Sequence, residues 1–180
     1  KRKSKVFTGM LAWPHPWYDR FRDLLAPPKA IPYLNTMFGR GWRMDHDPFL
    51  IYSKPGAEGH RLHNAFYQFD QSQYYIHHNG VMRCGMVVFQ YLLTDTIAGQ
   101  GGFCCIPGSH KANYPCPSEL LDWERDQQLV VNPACKAGDL LIFNEATTHG
   151  ALPWKARHER RALLYRYSPK VLHFAGGYHQ

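Results

Sequence analysis

Short apolar segments bounded by Gly and Pro recur along the chain from about residue 49 onwards. Runs of β-branched and aromatic residues between turn-forming residues predict strands. We expect strands in the segments 49–53, 82–94, 102–106, 129–132, 140–144 and 162–167. Many short strands with long, irregular connections predict a sandwich or barrel, and jelly rolls of the cupin-like kind place ligands in the barrel mouth. The expected fold is therefore mainly β, a double-stranded β-helix.

The residues before this β-rich region have a different pattern. Residues 18–25 carry apolar side chains at helical spacing and end at Pro27 and Pro28, which cannot continue a helix. A second short helix is expected over 33–38, ended by Gly39. We therefore predict a short N-terminal helical or irregular cap over residues 1–48. A jelly-roll domain over residues 49–180 would complete a single structural unit.

Composition is consistent with one globular domain. The chain has 180 residues, of which 44% are hydrophobic, enough for a substantial core and too many for general disorder. No apolar stretch approaches the roughly 20 residues needed to cross a membrane, and no apolar secretory segment opens the chain. The start at Lys1 is compatible with truncation of a longer protein. The expected localisation is intracellular and cytoplasmic.

The formal net charge of +7 raises the question of a nucleic-acid partner. Basic residues are mostly scattered, and the chain has no zinc-finger or RNA-recognition signature, so no nucleic-acid partner is predicted. A solvated basic surface is the simpler interpretation. The functional alternative is that Lys155, Arg157 and Arg161 attract an anionic substrate, such as one attached to a phosphate-bearing carrier.

The five cysteines form no CxxC pair and are odd in number, which argues against a zinc site. Cys84, Cys104 and Cys105 lie in apolar, strand-like runs, where buried reduced thiols are the usual state. Structural thiols and a reducing compartment are the expectation.

Candidate chemistry is concentrated in His63, His149 and Arg160. Non-heme Fe(II) oxygenases bind iron through two His and one carboxylate on one face of the metal and leave the remaining positions open. A guanidinium can hold a carboxylate through two parallel hydrogen bonds, which Lys cannot reproduce. Two distant imidazoles, with Arg160 eleven residues after His149, would therefore suit an iron site with a 2-oxoacid anchor.

Four ordered segments carry a resemblance to a known family. They are RLHNAFYQFD around His63, GGFCCIPGSHK ending at Lys111, KAGDLLIFNEATTHG ending at Gly150, and ERRALLYRYSP ending at Pro169. From about Leu50 to Pro169 the chain resembles the phytanoyl-CoA dioxygenase family of Fe(II)/2-oxoglutarate oxygenases. The resemblance implies that His63 and His149 bind iron, that Arg160 binds 2-oxoglutarate, and that molecular oxygen is a co-reactant.

Arg161 is the competing candidate for the 2-oxoglutarate anchor. Successive side chains of a strand point to opposite faces, so only one of the two arginines can point into the barrel. Apolar Ala162 and Leu164 share the parity of Arg160, which favours Arg160 as the inward residue.

The resemblance fails at one position. The family has Asp or Glu two residues after the first iron-binding His, whereas this chain has Ala65. None of the eleven histidines is followed two residues later by an acid, so no other His restores the motif. Iron-dependent halogenases related to this family resemble this arrangement, because a small residue there lets a halide bind the metal. The options are halogenation with chloride at the Ala65 position, hydroxylation with a substitute ligand, or loss of iron chemistry.

A substitute ligand could come from Asp70, from Glu145 or from water. Asp70 lies seven residues after His63, and Glu145 lies four before His149. If residues 144–149 were a regular strand, Glu145 would stand about 13 Å from His149, too far to share a metal. A loop in this segment would relax that restriction.

The leading hypothesis is Fe(II)/2-oxoglutarate-dependent oxidation of an unactivated C–H bond in a small, lipid-like or carrier-linked substrate. Halogenation is slightly preferred over hydroxylation because of Ala65. The alternatives are a hydroxylase with a substitute ligand and a non-catalytic jelly-roll binding protein, since fold alone does not establish function.

Overall fold

The computed structural model describes residues 3–64, 70 and 72–172. They form eleven strands and three α-helices. The helices are α1 (Asp19–Asp23), α2 (Ile31–Phe38) and α3 (Ser118–Leu121). The strands are β1 (Ser4–Phe7), β2 (Trp42–Met44), β3 (Phe49–Ser53), β4 (His60–His63), β5 (Tyr75–His78), β6 (Val81–Cys84), β7 (Val87–Leu92), β8 (Gly102–Cys105), β9 (Leu140–Asn144), β10 (His149–Leu152) and β11 (Arg160–Pro169).

Strand β11 organises the larger sheet, which has the order β1-β3-β11-β7-β9. β3 pairs with the first half of β11 and β2 with its last three residues, so both lie along the same edge. β7 pairs along the other edge of β11, and all these pairings are antiparallel. The predicted jelly-roll architecture is confirmed.

A smaller sheet of order β4-β10-β8 faces the larger one, and it brings the two candidate histidines together. β4 and β10 are antiparallel, with His63 directly opposite His149. Gly150 permits the close approach, because a Cβ there would lie 2.6 Å from the carbonyl oxygen of His60. The register shifts between His149 and Ala151, which is typical of a β-bulge.

Alternate residues of the larger sheet serve two different purposes. On the outer face, Leu163, Tyr165 and Tyr167 of β11 pack with Leu34 and Phe38 of α2. The hydroxyls of Tyr165 and Tyr167 donate hydrogen bonds to the backbone carbonyls of Phe21 and Leu25, which fixes the helical segment on the sheet. The inner face is left to line the barrel interior.

The inner face is apolar over most of its area. Val88, Leu92, Ala162 and Leu164 form its buried centre, with Phe49, Ile51, Leu141 and Phe143 around them. The even-numbered residues of β11 point this way, and the charged Arg160 and Arg166 share their parity. Two guanidinium groups are thus directed into the barrel from one strand.

Several predicted elements need correction. The segment 82–94 is two strands, since β6 pairs with β5 in a separate hairpin while β7 lies in the larger sheet. Residues 129–132 form no strand: a 3-10 turn covers Gln127–Leu129, and Val131 makes only an isolated bridge to Cys105. Within the first 48 residues, the short strands β1 and β2 pair with the larger sheet, and the predicted helices correspond to α1 and α2.

Candidate metal centre

The rings of His63 and His149 lie side by side between the two sheets. Their centroids are 4.3 Å apart, and His149 is only 6% exposed. His63 ends β4, and His149 begins β10, so the strand pairing fixes their separation. Phe103 and Phe143 flank the His149 ring, with Phe143 4.7 Å away between centroids.

Both imidazoles are oriented by backbone carbonyls. Nδ1 of His63 lies 3.0 Å from the carbonyl oxygen of Arg61, and Nδ1 of His149 lies 2.7 Å from that of Thr147. A carbonyl can only accept, so each Nδ1 carries the proton and donates it. Each Nε2 is then left with a lone pair. This is the usual way in which proteins orient metal-binding histidines.

Glu145 completes a three-residue group with these histidines. One ligand atom from each of His63, Glu145 and His149 lies within 4.8 Å of the others, and this is the only such group of His, Cys, Asp or Glu side chains among the described residues. Glu145 Oε2 is 3.6 Å from His149 Nε2. Two imidazole nitrogens and one carboxylate oxygen are the donor set of a non-heme Fe(II) site.

A tight turn between β9 and β10 brings Glu145 to this position. The turn follows Asn144, whose backbone carbonyl and side-chain Oδ1 both accept hydrogen bonds from the Thr147 backbone N–H, at 3.0 and 3.1 Å. The distance of about 13 Å between Glu145 and His149 that an extended strand would give does not apply, because residues 145–148 are not a strand. Glu145 therefore lies beside a residue four positions later.

The other carboxylate oxygen of Glu145 is held by Arg166. Arg166 Nε donates to Glu145 Oε1 at 2.8 Å, so Oε2 remains directed at the histidines. Arg166 Nη1 lies 3.2 Å from His46 Nε2, and His46 Nδ1 lies 3.0 Å from Asp45 Oδ1. Because a guanidinium only donates, His46 accepts through Nε2 and donates through Nδ1. A chain of hydrogen bonds thus links Glu145 to the buried Asp45.

The protonation states are those that metal binding requires. Burial lowers the pKa of His149 to about 4, and burial also lowers the pKa of His63, so both imidazoles are neutral at pH 7. Burial alone would raise the pKa of Glu145, but the charge of Arg166 and its hydrogen bond to the carboxylate hold that pKa below its usual value. Metal ligands must be neutral imidazoles and ionised carboxylates.

The remaining candidate ligands are placed as follows. Asp70 is outside the three-residue group, and its Oδ1 accepts hydrogen bonds from the backbone N–H and hydroxyl of Ser72, at 2.7 and 2.6 Å. Its carboxylate is thus used in a local turn. Ala65 lies outside the described residues, so its halide role stays a prediction.

Arg160 and Arg161 lie on opposite sides of β11. Arg160 is 4% exposed, and burial lowers its pKa to about 10, which still leaves it charged at pH 7. Its Nε has no hydrogen-bond partner among the described residues. Arg161 is exposed and donates to Glu159 at 2.7 Å. The buried guanidinium therefore has donor capacity to spare, and the exposed one forms a surface ion pair.

Gly102 creates the space that Arg160 occupies. Its φ is +81°, which favours glycine, and a Cβ there would lie 2.9 Å from Arg160 Nε. Glycine at the first position of β8 is thus required by the arginine that begins β11.

A cavity of about 1220 Å³ connects these groups. Arg160, Arg166, His63 and His149 all line it, and its walls include apolar residues of the inner face. The apolar part consists of Phe49, Ile51, Phe103, Phe143 and Leu164, and the rim includes Lys3, Lys5 and Glu58. The basic trio Lys155, Arg157 and Arg161 is exposed and does not line this cavity.

Comparison with known proteins agrees with this geometry. The family model described as "Phytanoyl-CoA dioxygenase (PhyH)" matches residues 2–162, which is most of the chain. The chain belongs to the phytanoyl-CoA dioxygenase family. The resemblance drawn from the four sequence segments is thereby confirmed. A search of curated proteins found no match.

Solved structures show the same fold at low identity. HygX from Streptomyces hygroscopicus, crystallised with nickel and 2-oxoglutarate, has a TM-score of 0.79 at 20% identity, covering 95% of this chain and 72% of HygX. HygX with iron bound gives a TM-score of 0.75 at 19% identity, covering 94% and 73%. SnoN, a non-heme α-ketoglutarate-dependent epimerase from nogalamycin biosynthesis, gives 0.65 at 16% identity, covering 93% and 63%.

Two residues of the site were not anticipated from the sequence. Arg166 shares the parity of Arg160 along β11, so alternation alone could have identified it as an inward charge. His46 had no comparable signal, because it lies in an irregular segment far from the recognisable motifs.

Cys84, Cys104, Cys105, Cys116 and Cys135 are all free thiols. None of the helices in the described part of the chain has the length and apolar character needed to span a membrane.

If Glu145 binds the metal, Glu145→Gln should lower the Fe(II) affinity by about 100-fold or more. Residues that only orient a metal ligand already contribute about 10–100-fold to metal affinity. The measurement is anaerobic isothermal titration calorimetry. Because Arg166 loses its ion-pair partner in this variant, the titration is run below the melting temperature of the variant. Asp70→Asn is the matched control and should bind Fe(II) like the wild type. Wild-type affinity in Glu145→Gln would show that Glu145 is not a ligand.

Proposed function

We propose that this protein is an Fe(II)- and 2-oxoglutarate-dependent enzyme that oxidises an unactivated C–H bond in a small or lipid-like substrate. His63, His149 and Glu145 would bind the iron, and Arg160 would bind 2-oxoglutarate. The observation that carries the proposal is the position of Glu145 Oε2, 3.6 Å from His149 Nε2 and beside His63. It supplies the carboxylate that the sequence lacks at Ala65.

The residues fit both cofactors. Two neutral imidazoles and an ionised carboxylate would offer iron two neutral donor atoms and one anionic donor atom, and both imidazoles line the cavity. Membership in the family and the buried, charged Arg160 support 2-oxoglutarate as the second cofactor. An unpaired Nε on a buried guanidinium is costly unless a ligand uses it, and a carboxylate is its best acceptor.

The bound cofactors supply the difficult chemistry, in which O₂ is consumed and 2-oxoglutarate is decarboxylated to succinate while a C–H bond is oxidised. The chain's own residues position the reactants and exclude water. Arg166 keeps Glu145 ionised and aimed at the histidines. Phe103 and Phe143 enclose the His149 side of the cavity in apolar surface. The apolar walls favour a substrate with an aliphatic or otherwise apolar reacting part.

Turnover without substrate provides the test. An anaerobic titration of the wild type with Fe(II) and 2-oxoglutarate should develop a visible charge-transfer band. Admission of O₂ should then convert 2-oxoglutarate slowly to succinate, measured by mass spectrometry, with none formed when Fe(II) is omitted. Absence of both the band and succinate would favour a non-catalytic jelly-roll binding protein.

Halogenation is the second candidate, and Ala65 is the observation that favours it. Its methyl side chain cannot bind iron, and chloride at that position would become a further cofactor. Glu145 favours oxygenation instead, because a carboxylate already balances one charge of the iron. Chloride should tighten 2-oxoglutarate binding to the Fe(II) protein if a halide site exists. Equal affinity in chloride and chloride-free buffer would support the oxygenase with Glu145 as ligand.

The role of Arg160 generates a paired prediction. Arg160→Lys keeps the charge but loses the two-pronged hydrogen bonding, so the affinity for 2-oxoglutarate should fall by about 1.5–3 kcal/mol, roughly 10- to 150-fold. Arg161→Lys is the control on the neighbouring position and should leave the affinity unchanged. Calorimetric titration of the Ni(II)-loaded protein measures both. The reverse order of effects would assign the anchor to Arg161.

A further inference from the structure

His60 is a third histidine that lines the cavity, next to the candidate metal centre but outside it. Its ring lies 4.8 Å from the ring of His63 between centroids, and both rings line the cavity. It does not belong to the group formed by His63, Glu145 and His149. Unlike the buried His149, His60 is exposed. A substrate that enters the cavity can therefore reach an imidazole that the metal does not use.

A β-bulge brings His60 to this face of the smaller sheet. In a regular strand, residues three positions apart point to opposite faces, which would separate His60 from His63. In the pairing of β4 with β10, however, His63 lies opposite His149 and His60 lies opposite Ala151. Two residues of β4 thus oppose one residue of β10, which is the arrangement of a bulge. The extra residue reverses the parity, so both histidines point into the same cavity.

The two residues between the histidines are held on the other side of the strand. Arg61 donates a hydrogen bond from Nη2 to Asp122, just after α3, at 2.8 Å. Leu62 is fully buried and packs with Cys104 and Leu121. Neither Arg61 nor Leu62 lines the cavity. These contacts fix the bulge and with it the inward direction of His60.

One backbone carbonyl orients both rings. The carbonyl oxygen of Arg61 lies 3.0 Å from Nδ1 of His60 and 3.0 Å from Nδ1 of His63. A carbonyl oxygen has two lone pairs and only accepts, so both Nδ1 atoms donate to it. Nε2 of each neutral ring then carries a lone pair. The lone pair of His63 is directed to the metal centre, whereas Nε2 of His60 has no hydrogen-bond partner among the described residues.

The charges around the cavity indicate which group would bind to this lone pair. An anionic oxygen has no proton to donate, so the partner of Nε2 is a hydroxyl or an ammonium group. The described residues that line the cavity include one acid, Glu58, and four basic side chains, those of Lys3, Lys5, Arg160 and Arg166. This excess of positive charge disfavours an ammonium group and leaves the neutral hydroxyl as the better partner.

We propose that His60 is a substrate-binding residue whose Nε2 accepts a hydrogen bond from a hydroxyl group of the substrate. The inference rests on the proposed function, because it takes this cavity as the place where the substrate is oxidised. It narrows the substrate class to molecules that carry a hydroxyl group on an otherwise apolar carbon skeleton. The hydroxyl would lie beside His63 and therefore close to the metal.

Cyclohexanol is the probe, because it combines one hydroxyl with an apolar ring. Saturation-transfer NMR titrations compare it with cyclohexyl methyl ether, which has no O–H to donate, and with cyclohexylamine. The alcohol should bind tighter than the ether by roughly 2- to 10-fold, as expected for one neutral hydrogen bond. Equal binding of alcohol and ether, tighter binding of the amine, or no binding of the alcohol would each overturn the inference.

The titrations are made on both the metal-free and the Zn(II)-loaded protein. Zn(II) is diamagnetic and would occupy the lone pairs of His63 and His149, which could otherwise accept from the alcohol. The preference for the alcohol over the ether should be the same in both forms. Loss of this preference on loading with Zn(II) would assign the acceptor to the metal ligands and overturn the inference.

Two substitutions separate substrate binding from a structural role. His60→Gln places a side-chain carbonyl oxygen near the position of Nε2, so the preference for the alcohol should remain. His60→Asn retains an amide that can donate to the Arg61 carbonyl but lacks the distal acceptor, so alcohol and ether should bind equally. A purely structural histidine would give the opposite order, with Asn the better replacement.

The control variant is His78→Asn, because His78 is an exposed histidine of β5 that does not line the cavity. It should keep the preference for the alcohol. Both His60 variants should bind Zn(II) like the wild type, and a loss of Zn(II) affinity in both would make His60 a metal ligand instead. Wild-type preference in folded His60→Asn overturns the inference while the proposed function stands. Failure of the wild type to form succinate overturns the proposed function, and the cyclohexanol titrations identify that outcome separately because they need neither iron nor 2-oxoglutarate.

Discussion

The ion pair between Glu145 and Arg166 is the interaction on which the site depends. A carboxylate that is only 6% exposed is unfavourable in the interior unless it is paired and hydrogen-bonded. Arg166 meets this requirement with one oxygen of Glu145 and leaves the other for the histidines. The guanidinium is itself held by His46 and lies over the Phe49 ring, 4.6 Å from its centroid. The contacts that position the centre thus involve β3 and the loop before it.

The site divides into groups whose orientation is fixed by a partner and groups with a buried donor that has none. His63, His149 and Glu145 each have a partner that fixes their orientation, as expected of ligands that are positioned before a metal arrives. Arg160 and Gln90 have buried donors without partners in the described residues. Such unsatisfied groups destabilise a fold, and each calls for a physical explanation, of which use by a ligand is one. The contrast separates the oriented group of His63, His149 and Glu145 from the unsatisfied donors of Arg160 and Gln90.

Much of this arrangement could be predicted from the sequence, because it follows from local patterns. Strands β3 and β9 match the predicted segments residue for residue, since apolar runs bounded by turn residues mark their ends. The alternation argument separates Arg160 from Arg161 because it needs only a regular strand, and β11 is regular over ten residues. Counting three more inward-facing positions along β11 from Arg160 would have identified Arg166 as a second inward charge.

Other features could not be predicted, because they depend on contacts between distant segments. The distance from Glu145 to His149 depends on a turn stabilised by the Asn144 side chain. The sequence left Glu145 as one of several possible ligands, because an extended chain would hold it too far away and only the folded structure shows the turn. The division of 82–94 into β6 and β7 depends on which partner strand each half meets. His46 acquires its role only through contact with a residue 120 positions later.

The most direct test of the Glu145 site is a crystal structure of the Ni(II)-loaded protein with the metal located by anomalous scattering. The account predicts one peak between the sheets, about 2.0–2.2 Å from Nε2 of His63, Nε2 of His149 and Oε2 of Glu145, the usual range for such ligands on first-row metals. Glu145 should keep its bond to Arg166 in that structure. A metal bound by the two histidines alone, with chloride or water in place of the Glu145 carboxylate, would contradict the account.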